Sequence, residues 1–180
     1  MGNIRLKDKE FKLFIPEKLL KEAIANMACH IKKDLGNMNP LFVGILNGAF
    51  MFTAELMSEL NDIYELTFAR YSSYKGLNSS GSLNEVMPLP SADIKGRTIV
   101  LLEDVIDTGF TMYTLINKLQ SEGATDVRLA TMLFKPKALM CNLKPDYVGI
   151  EVPNDFIVGH GLDYKGAGRA LRDIYIIANN

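Results

Sequence analysis

A chain of 180 residues, 48% of them hydrophobic, is predicted to form one domain spanning 1–180 with a substantial core. Twenty Lys and Arg against 21 Asp and Glu leave a net charge of −1, which excludes a general pull toward nucleic acid or an anionic membrane. Cys29 and Cys141 lie far apart, with no CxxC and no His at metal-ligand spacing, so two free thiols in a reducing cytoplasm are expected. No apolar run approaches the ~20 residues that span a bilayer. The start, Met1 to Leu6, is polar and then charged, and lacks a signal-peptide core.

The first predicted helix opens at Pro16, a favoured first-turn residue, with Leu20, Ile24, Met27 and Ile31 as its stripe. Leu41 to Leu46 reads as a short buried strand, left through Asn47-Gly48-Ala49. A second helix carries Phe52, Leu56, Met57 and Leu60 on one face, and Ile63 to Ala69 is a strand. The stretch 71–96 is rich in Ser, Gly, Asn and Pro and is predicted as a long loop. Its place after a strand suits a flexible lid. Thr98 to Leu102 is a strand, followed by a helix from about Thr111 to Ser121 that Gly123 stops. Val127 to Phe134, Tyr147 to Val152 and Ile174 to Ile177 are further strands. Strands alternate with helices, and the central strands are apolar throughout, so both their faces must be covered. This predicts an α/β fold, a mostly parallel sheet with helices on each side. In such sheets ligands bind at the carboxyl ends of strands.

One such end is unusual. The apolar run Thr98 to Leu102 stops at two adjacent carboxylates, Glu103 and Asp104. Asp107-Thr108-Gly109-Phe110-Thr111 follows, and then Met112, Leu115, Ile116 and Leu119 recur at helical spacing. A helix start offers unpaired N–H groups and the positive end of a dipole, and small residues let a phosphate approach. Carboxylates beside a phosphate cradle make sense when a sugar hydroxyl or a divalent cation lies between them. The arrangement points to a phosphorylated sugar. Blander readings stand beside it. Glu103 and Asp104 on a strand point to opposite faces and could be a solvated strand end. Asp107 or Thr108 could simply cap the helix. Asp-Thr-Gly also marks aspartic proteases, but those are all-β. There is no GxxxxGK[ST] and no GxGxxG. Lys135-Pro136-Lys137 could be solvated, and Phe156-Ile157-Val158 could be core or a stacking platform. His30 and His160 show no partner in sequence and are taken as structural; Asp163 and Arg169 are unremarkable alone.

As a set, several stretches resemble the purine salvage phosphoribosyltransferases, and within them the hypoxanthine (hypoxanthine–guanine) enzymes. They are Gly44-Ile45-Leu46-Asn47-Gly48-Ala49-Phe50, Ser72-Ser73-Tyr74, Val100 to Thr111, Lys135-Pro136, Pro145-Asp146-Tyr147-Val148-Gly149, and Phe156-Ile157-Val158-Gly159 leading into Gly161-Leu162-Asp163-Tyr164. The resemblance runs from about Leu41 to Ile177. It implies the type I phosphoribosyltransferase fold, with a small hood formed by the N- and C-terminal segments. It implies transfer of a 5-phosphoribosyl group from phosphoribosyl pyrophosphate to hypoxanthine, and to guanine, with magnesium as cofactor and a homo-oligomer, dimer or tetramer, as the working form.

The resemblance also implies roles. Asp107 to Thr111, Gly109 and Phe110 included, would hold the 5-phosphate, with Glu103 and Asp104 on the ribose hydroxyls, directly or through magnesium. Asp163 would help hold a second ion and flank the base. Asn47, Gly48, Ser73, Tyr74 and Arg169 would bind pyrophosphate. Family members often carry Lys or Arg where Asn47 stands, so Asn47 is assigned a backbone role. The peptide before Gly48 is a candidate cis bond. Phe156 would stack on the purine, Lys135 would donate to its 6-oxo oxygen, and the Ile157 carbonyl would accept from a 2-amino group. Asp107 would be the general base or acid at N7. Two rivals are a regulator that kept the sugar pocket and binds nucleic acid, which the near-neutral charge disfavours, and an enzyme preferring xanthine.

Overall fold

The computed structural model of the chain describes residues 2–73 and 83–178, and their strands form two sheets. In chain order the elements are β1 (Ile4–Leu6), β2 (Lys9–Ile15), α1 (Glu17–Leu35), β3 (Leu41–Ile45), α2 (Phe50–Leu60), β4 (Glu65–Ser73) and β5 (Leu83–Met87). There follow α3 (Ser91–Ile94), β6 (Thr98–Ile106), α4 (Phe110–Ser121), β7 (Asp126–Phe134), β8 (Tyr147–Glu151), β9 (Ile157–Val158) and β10 (Ile174–Ile177).

The larger sheet has the order β5-β4-β3-β6-β7-β8. From β4 to β8 every pairing is parallel; the edge strand β5 is antiparallel. All five residues of β3 are buried, as an apolar central strand requires. Their side chains alternate between two cores. Phe42 meets Leu20 and Ile24 of α1 and Phe52 and Leu56 of α2, together with Val100 and Leu102. Val43 and Ile45 face the other way, toward Ile94 of α3 and Met112, Leu115 and Leu119 of α4. Each such side chain, removed from water, contributes roughly 1.5–3 kcal/mol before chain entropy is counted. The α/β architecture with helices on both faces is therefore as expected.

The second sheet, β1-β2-β10-β9, is antiparallel throughout and joins both ends of the chain into the hood. Its first two strands and β9 carry no clear signal: β2 interleaves Lys and Glu with Phe11 and Ile15, and only those two apolar residues are fully buried. The hood is tied to the main body at the start of α1. Pro16 sits just before the helix and no residue nearby caps it. The Glu17 N–H instead donates to Asp173 Oδ1 at 2.7 Å, 156 residues along the chain.

The stretch expected as loop, 71–96, is partly ordered. β4 runs on to Ser73 and pairs with β5, and α3 follows. Ser and Asn tolerate an antiparallel pair when a neighbouring strand supplies the hydrogen bonds, and here β4 is that neighbour. Lys118 of α4 holds the return strand through an ion pair with Glu85. The middle of the proposed lid, with Tyr74, lies outside the described residues. No helix among the described residues is long and apolar enough to cross a membrane.

Candidate active site

The carboxyl ends of β3, β6 and β7 converge on one side of the main sheet. β6 does not end at Leu102; its ladder to β7 continues through Glu103 opposite Thr131 to Ile106 opposite Phe134. The two carboxylates therefore lie inside a paired strand rather than beyond it. Glu103 Oε2 is enclosed with no hydrogen-bond partner. Burial, reinforced by the neighbouring Asp104 charge, holds its carboxyl well above the ordinary range. Burial likewise pushes Asp104 up to about 6, against the pull of the Val105 N–H, which donates to Oδ1 at 2.8 Å, and of the Arg169 charge. Two like charges sheltered from water cost stability, the mark of a site built for a ligand rather than for folding.

Gly48 lies directly against this pair. A Cβ at Gly48 would overlap the Asp104 carboxylate, so only glycine lets the backbone come this close. Asn47 beside it is exposed. The cis peptide is Leu46–Asn47, one bond earlier than the peptide before Gly48. Gly161 of the hood meets Gly48 from the other side: a Cβ there would strike the Gly48 carbonyl.

After β6 the chain turns through Asp107 and Thr108, both exposed, to Gly109 at φ +82°, and α4 begins. No side chain caps α4. The capping reading of Asp107 and Thr108 therefore fails, and the first-turn N–H groups keep their donors for something else. The turn is braced from behind. The Thr108 carbonyl accepts from the Met140 N–H at 3.0 Å, and Leu139 packs against Gly109. A pocket of about 120 Å³ brings Glu103 together with Asp107, Thr108, Gly109 and Thr111. Phe110 is half-exposed and does not line it.

Lys135, first residue after β7, is buried, and its Nζ donates to Asp107 Oδ2 at 3.1 Å. Adjacent parallel strands put these two residues side by side, because Ile106 and Phe134 are register partners. In the hood, Ile157 is buried on β9, while Phe156 keeps 46% of its surface exposed. The rings of Phe11 and Tyr164 lie behind it, at centroid distances of 6.3 and 5.7 Å. Asp163 and Arg169 form an ion pair at 2.5 Å, and Arg169 Nη1 also donates to the Gly161 carbonyl at 2.8 Å. Asp163 Oδ2 accepts from the Gly166 N–H. Ser73 ends β4.

Sequence reasoning missed one pair: His160 is buried, and its Nε2 lies 3.1 Å from Glu55 Oε2 of α2. The partners are 105 residues apart, and no local signal links them. Among the described residues, no group of three or more His, Cys, Asp or Glu is gathered to hold a metal. Glu103 and Asp104 offer two hard oxygen donors, one of them buried without a partner. That suits magnesium, which takes one or two carboxylates and leaves its other positions to water and substrate phosphates.

Residues 16–165 match the family model described as the phosphoribosyl transferase domain. The chain is 35% identical over 166 residues to the hypoxanthine-guanine phosphoribosyltransferase of Streptococcus pneumoniae, covering 92% of each chain. It is 38% identical over 161 residues to the enzyme of the same name from Lactococcus lactis, covering 89% of this chain and 87% of the other. In structure it resembles a hypoxanthine phosphoribosyltransferase from Staphylococcus aureus, with a TM-score of 0.87 at 28% identity, covering 93% and 91% of the two chains.

Proposed function

This chain belongs to the phosphoribosyltransferase family, and from that membership we infer that it is a purine salvage enzyme acting on hypoxanthine and guanine. It moves the 5-phosphoribosyl group of phosphoribosyl pyrophosphate to a purine nitrogen, releasing pyrophosphate. The observation that carries the reading is the single pocket where Glu103 meets the uncapped turn Asp107 to Thr111.

In the reaction the anomeric C–O bond breaks, its electron pair leaving on pyrophosphate, and a C–N bond forms to the purine. Positive charge builds on the ribose and negative charge on the leaving group, so fixed opposite charges at both ends supply the acceleration. The turn Asp107 to Thr111 takes the 5-phosphate through backbone N–H groups and the Thr108 and Thr111 hydroxyls. Glu103 and Asp104 accept from the ribose hydroxyls. They would also hold magnesium, and Asp163 would help hold a second ion; when bound, the metal would neutralise phosphate charge and screen the buried pair. The Gly48 and Asn47 backbone, Arg169 and Ser73 would bind the pyrophosphate. Asp107 accepts the purine proton at N7, the step for which it must lie within hydrogen-bond reach.

Base selection falls to Lys135, Phe156 and Ile157. Phe156 presents a half-open ring for stacking. The Lys135 ammonium, already donating to Asp107, has further N–H groups for a 6-oxo oxygen, whereas adenine offers an amino donor it cannot match. A mismatched buried polar pair can discriminate by roughly 10⁴–10⁵. Steady-state rates with magnesium, phosphoribosyl pyrophosphate and each of hypoxanthine, guanine, xanthine and adenine test this. Hypoxanthine and guanine should react and adenine should not; turnover of adenine alone would remove Lys135 from recognition.

The working form we propose is a cytoplasmic homo-oligomer of single-domain subunits. Leu66 and Phe68 of β4 and Phe50 of α2 leave apolar surface uncovered, which supports the oligomer.

A further inference from the structure

We propose that His160 is a positioning residue. Through Glu55 it sets the distance between the base-binding hood and the pyrophosphate loop, and it rests on the transferase reading above. His160 itself touches no proposed substrate position. It is only 2% exposed and sits at φ +46° between Gly159 and Gly161, both at φ +100°. Three successive left-handed residues form a tight pivot, and a non-glycine residue at its centre is held there at a conformational cost.

The pivot is cinched on its own side. The His160 N–H donates to the Leu171 carbonyl at 2.7 Å and the Gly161 N–H to the Arg169 carbonyl at 2.9 Å. Everything the hood brings to substrate hangs from it: Phe156 and Ile157 lie just before it, Asp163 and Arg169 just after. Across the gap the pivot meets one stretch of chain, from Gly48 in the loop to Glu55 in α2, at two points. Gly161 presses on the Gly48 carbonyl, and His160 reaches Glu55. Gly48 leads within two residues into α2, and Glu55 lies on that helix. Two separated contacts fix an orientation, where one contact would leave a hinge. The packing of Gly161 against Gly48 is steric, so the His160–Glu55 hydrogen bond is the directional contact of the two.

The consequence is specific. Each half-site is built from residues the pair does not touch, so each should survive its loss. A ligand spanning both halves, or the reaction that joins them, should not. Glu55 is only partly buried, so Glu55→Ala is expected to fold. A misplacement of about 1 Å can cost up to about 10²-fold. Glu55→Ala should therefore lower kcat by about tenfold or more and weaken binding of pyrophosphate to enzyme already saturated with a nucleoside 5′-monophosphate, measured by calorimetry, by a similar factor. Glu55→Gln keeps an acceptor for His160 and should stay within about twofold of the parent in both measurements. His160→Asn, tested with either Glu55 variant, should show a coupled rather than an additive effect on kcat. Should Glu55→Ala shift only the melting temperature and leave kcat and pyrophosphate affinity in the presence of nucleotide intact, the pair is merely structural and the proposal fails. Should Glu55→Ala not fold, an unchanged kcat in His160→Asn overturns it equally. Absence of turnover in the parent enzyme would instead defeat the transferase reading, and this inference with it.

Discussion

The proposed phosphate turn and the hood are given comparable tasks and are built in opposite ways. The turn is one continuous stretch, Glu103 to Thr111, that passes from a paired strand to the first residues of α4. The grip proposed for it depends on backbone N–H groups and on local geometry. The hood is assembled from β1, β2, β9 and β10, which bring the two ends of the chain together, and the grip proposed for it depends on side chains placed by docking. A site made of backbone is robust to substitution and sensitive to added bulk. A site made by docking is sensitive to any loss of packing, even far from the ligand.

The largest expected effect separates chemistry from binding in the turn. Asp107→Asn keeps the backbone and removes the proton acceptor, so kcat should fall by about 10²–10⁴ while nucleotide binding persists. Steady-state and calorimetric measurements on one preparation would show this; full turnover would take Asp107 out of the chemistry. Next, Phe11→Ala removes a wholly buried ring that backs Phe156 and Tyr164. It should cost roughly 3–5 kcal/mol of stability. It should also raise KM for the purine more than for phosphoribosyl pyrophosphate. Equal changes in the two would mean that the hood does not serve the base alone.

A smaller effect comes from the carboxylate pair. The Asp104 carboxyl lies near 6 in the folded protein against an ordinary 3.8. Between about pH 4 and pH 6 the unfolded chain gives up this proton first, so the ligand-free fold loses stability as pH rises through that window. Above it the loss is complete. Asp104→Asn removes this dependence and should stabilise the ligand-free protein at pH 7 by roughly 1–3 kcal/mol while impairing catalysis. Thermal melts at pH 4 and pH 7 would reveal it. A variant less stable than the parent at pH 7 would mean the carboxylate is held by compensating partners.

The same contrast governs what could be read without coordinates. Periodicity found the main sheet and its helices because a face that meets the core repeats every two or 3.6 residues, and Leu20, Ile24, Met27 and Ile31 are all buried as that pattern requires. The turn was legible because its parts are consecutive. Even there, the end of β6 was misplaced by four residues, since two carboxylates read as a strand end while pairing to β7 continues beneath them.

The hood shows the limit. β1 and β9 are three and two residues long, too short for a pattern, and β2 is laced with charge. The candidate residues Lys135, Phe156, Asp163 and Arg169 were named through family resemblance, and their chemistry became visible only once neighbours were known. Lys135 gained Asp107, and Arg169 gained Asp163 and the Gly161 carbonyl. His160 was read as a structural histidine without a visible partner, and the structure supplies that partner in Glu55.

By itself the sequence determined the layered α/β core and the strand–turn–helix cradle, because burial and backbone preference are written residue by residue along the chain. Only the tertiary structure decided how Gly48, Asp104 and Gly161 crowd together, how Asp173 caps α1, and how His160 meets Glu55. Those contacts join segments far apart in the chain, and their existence depends on how finished elements dock rather than on any property of the residues in between.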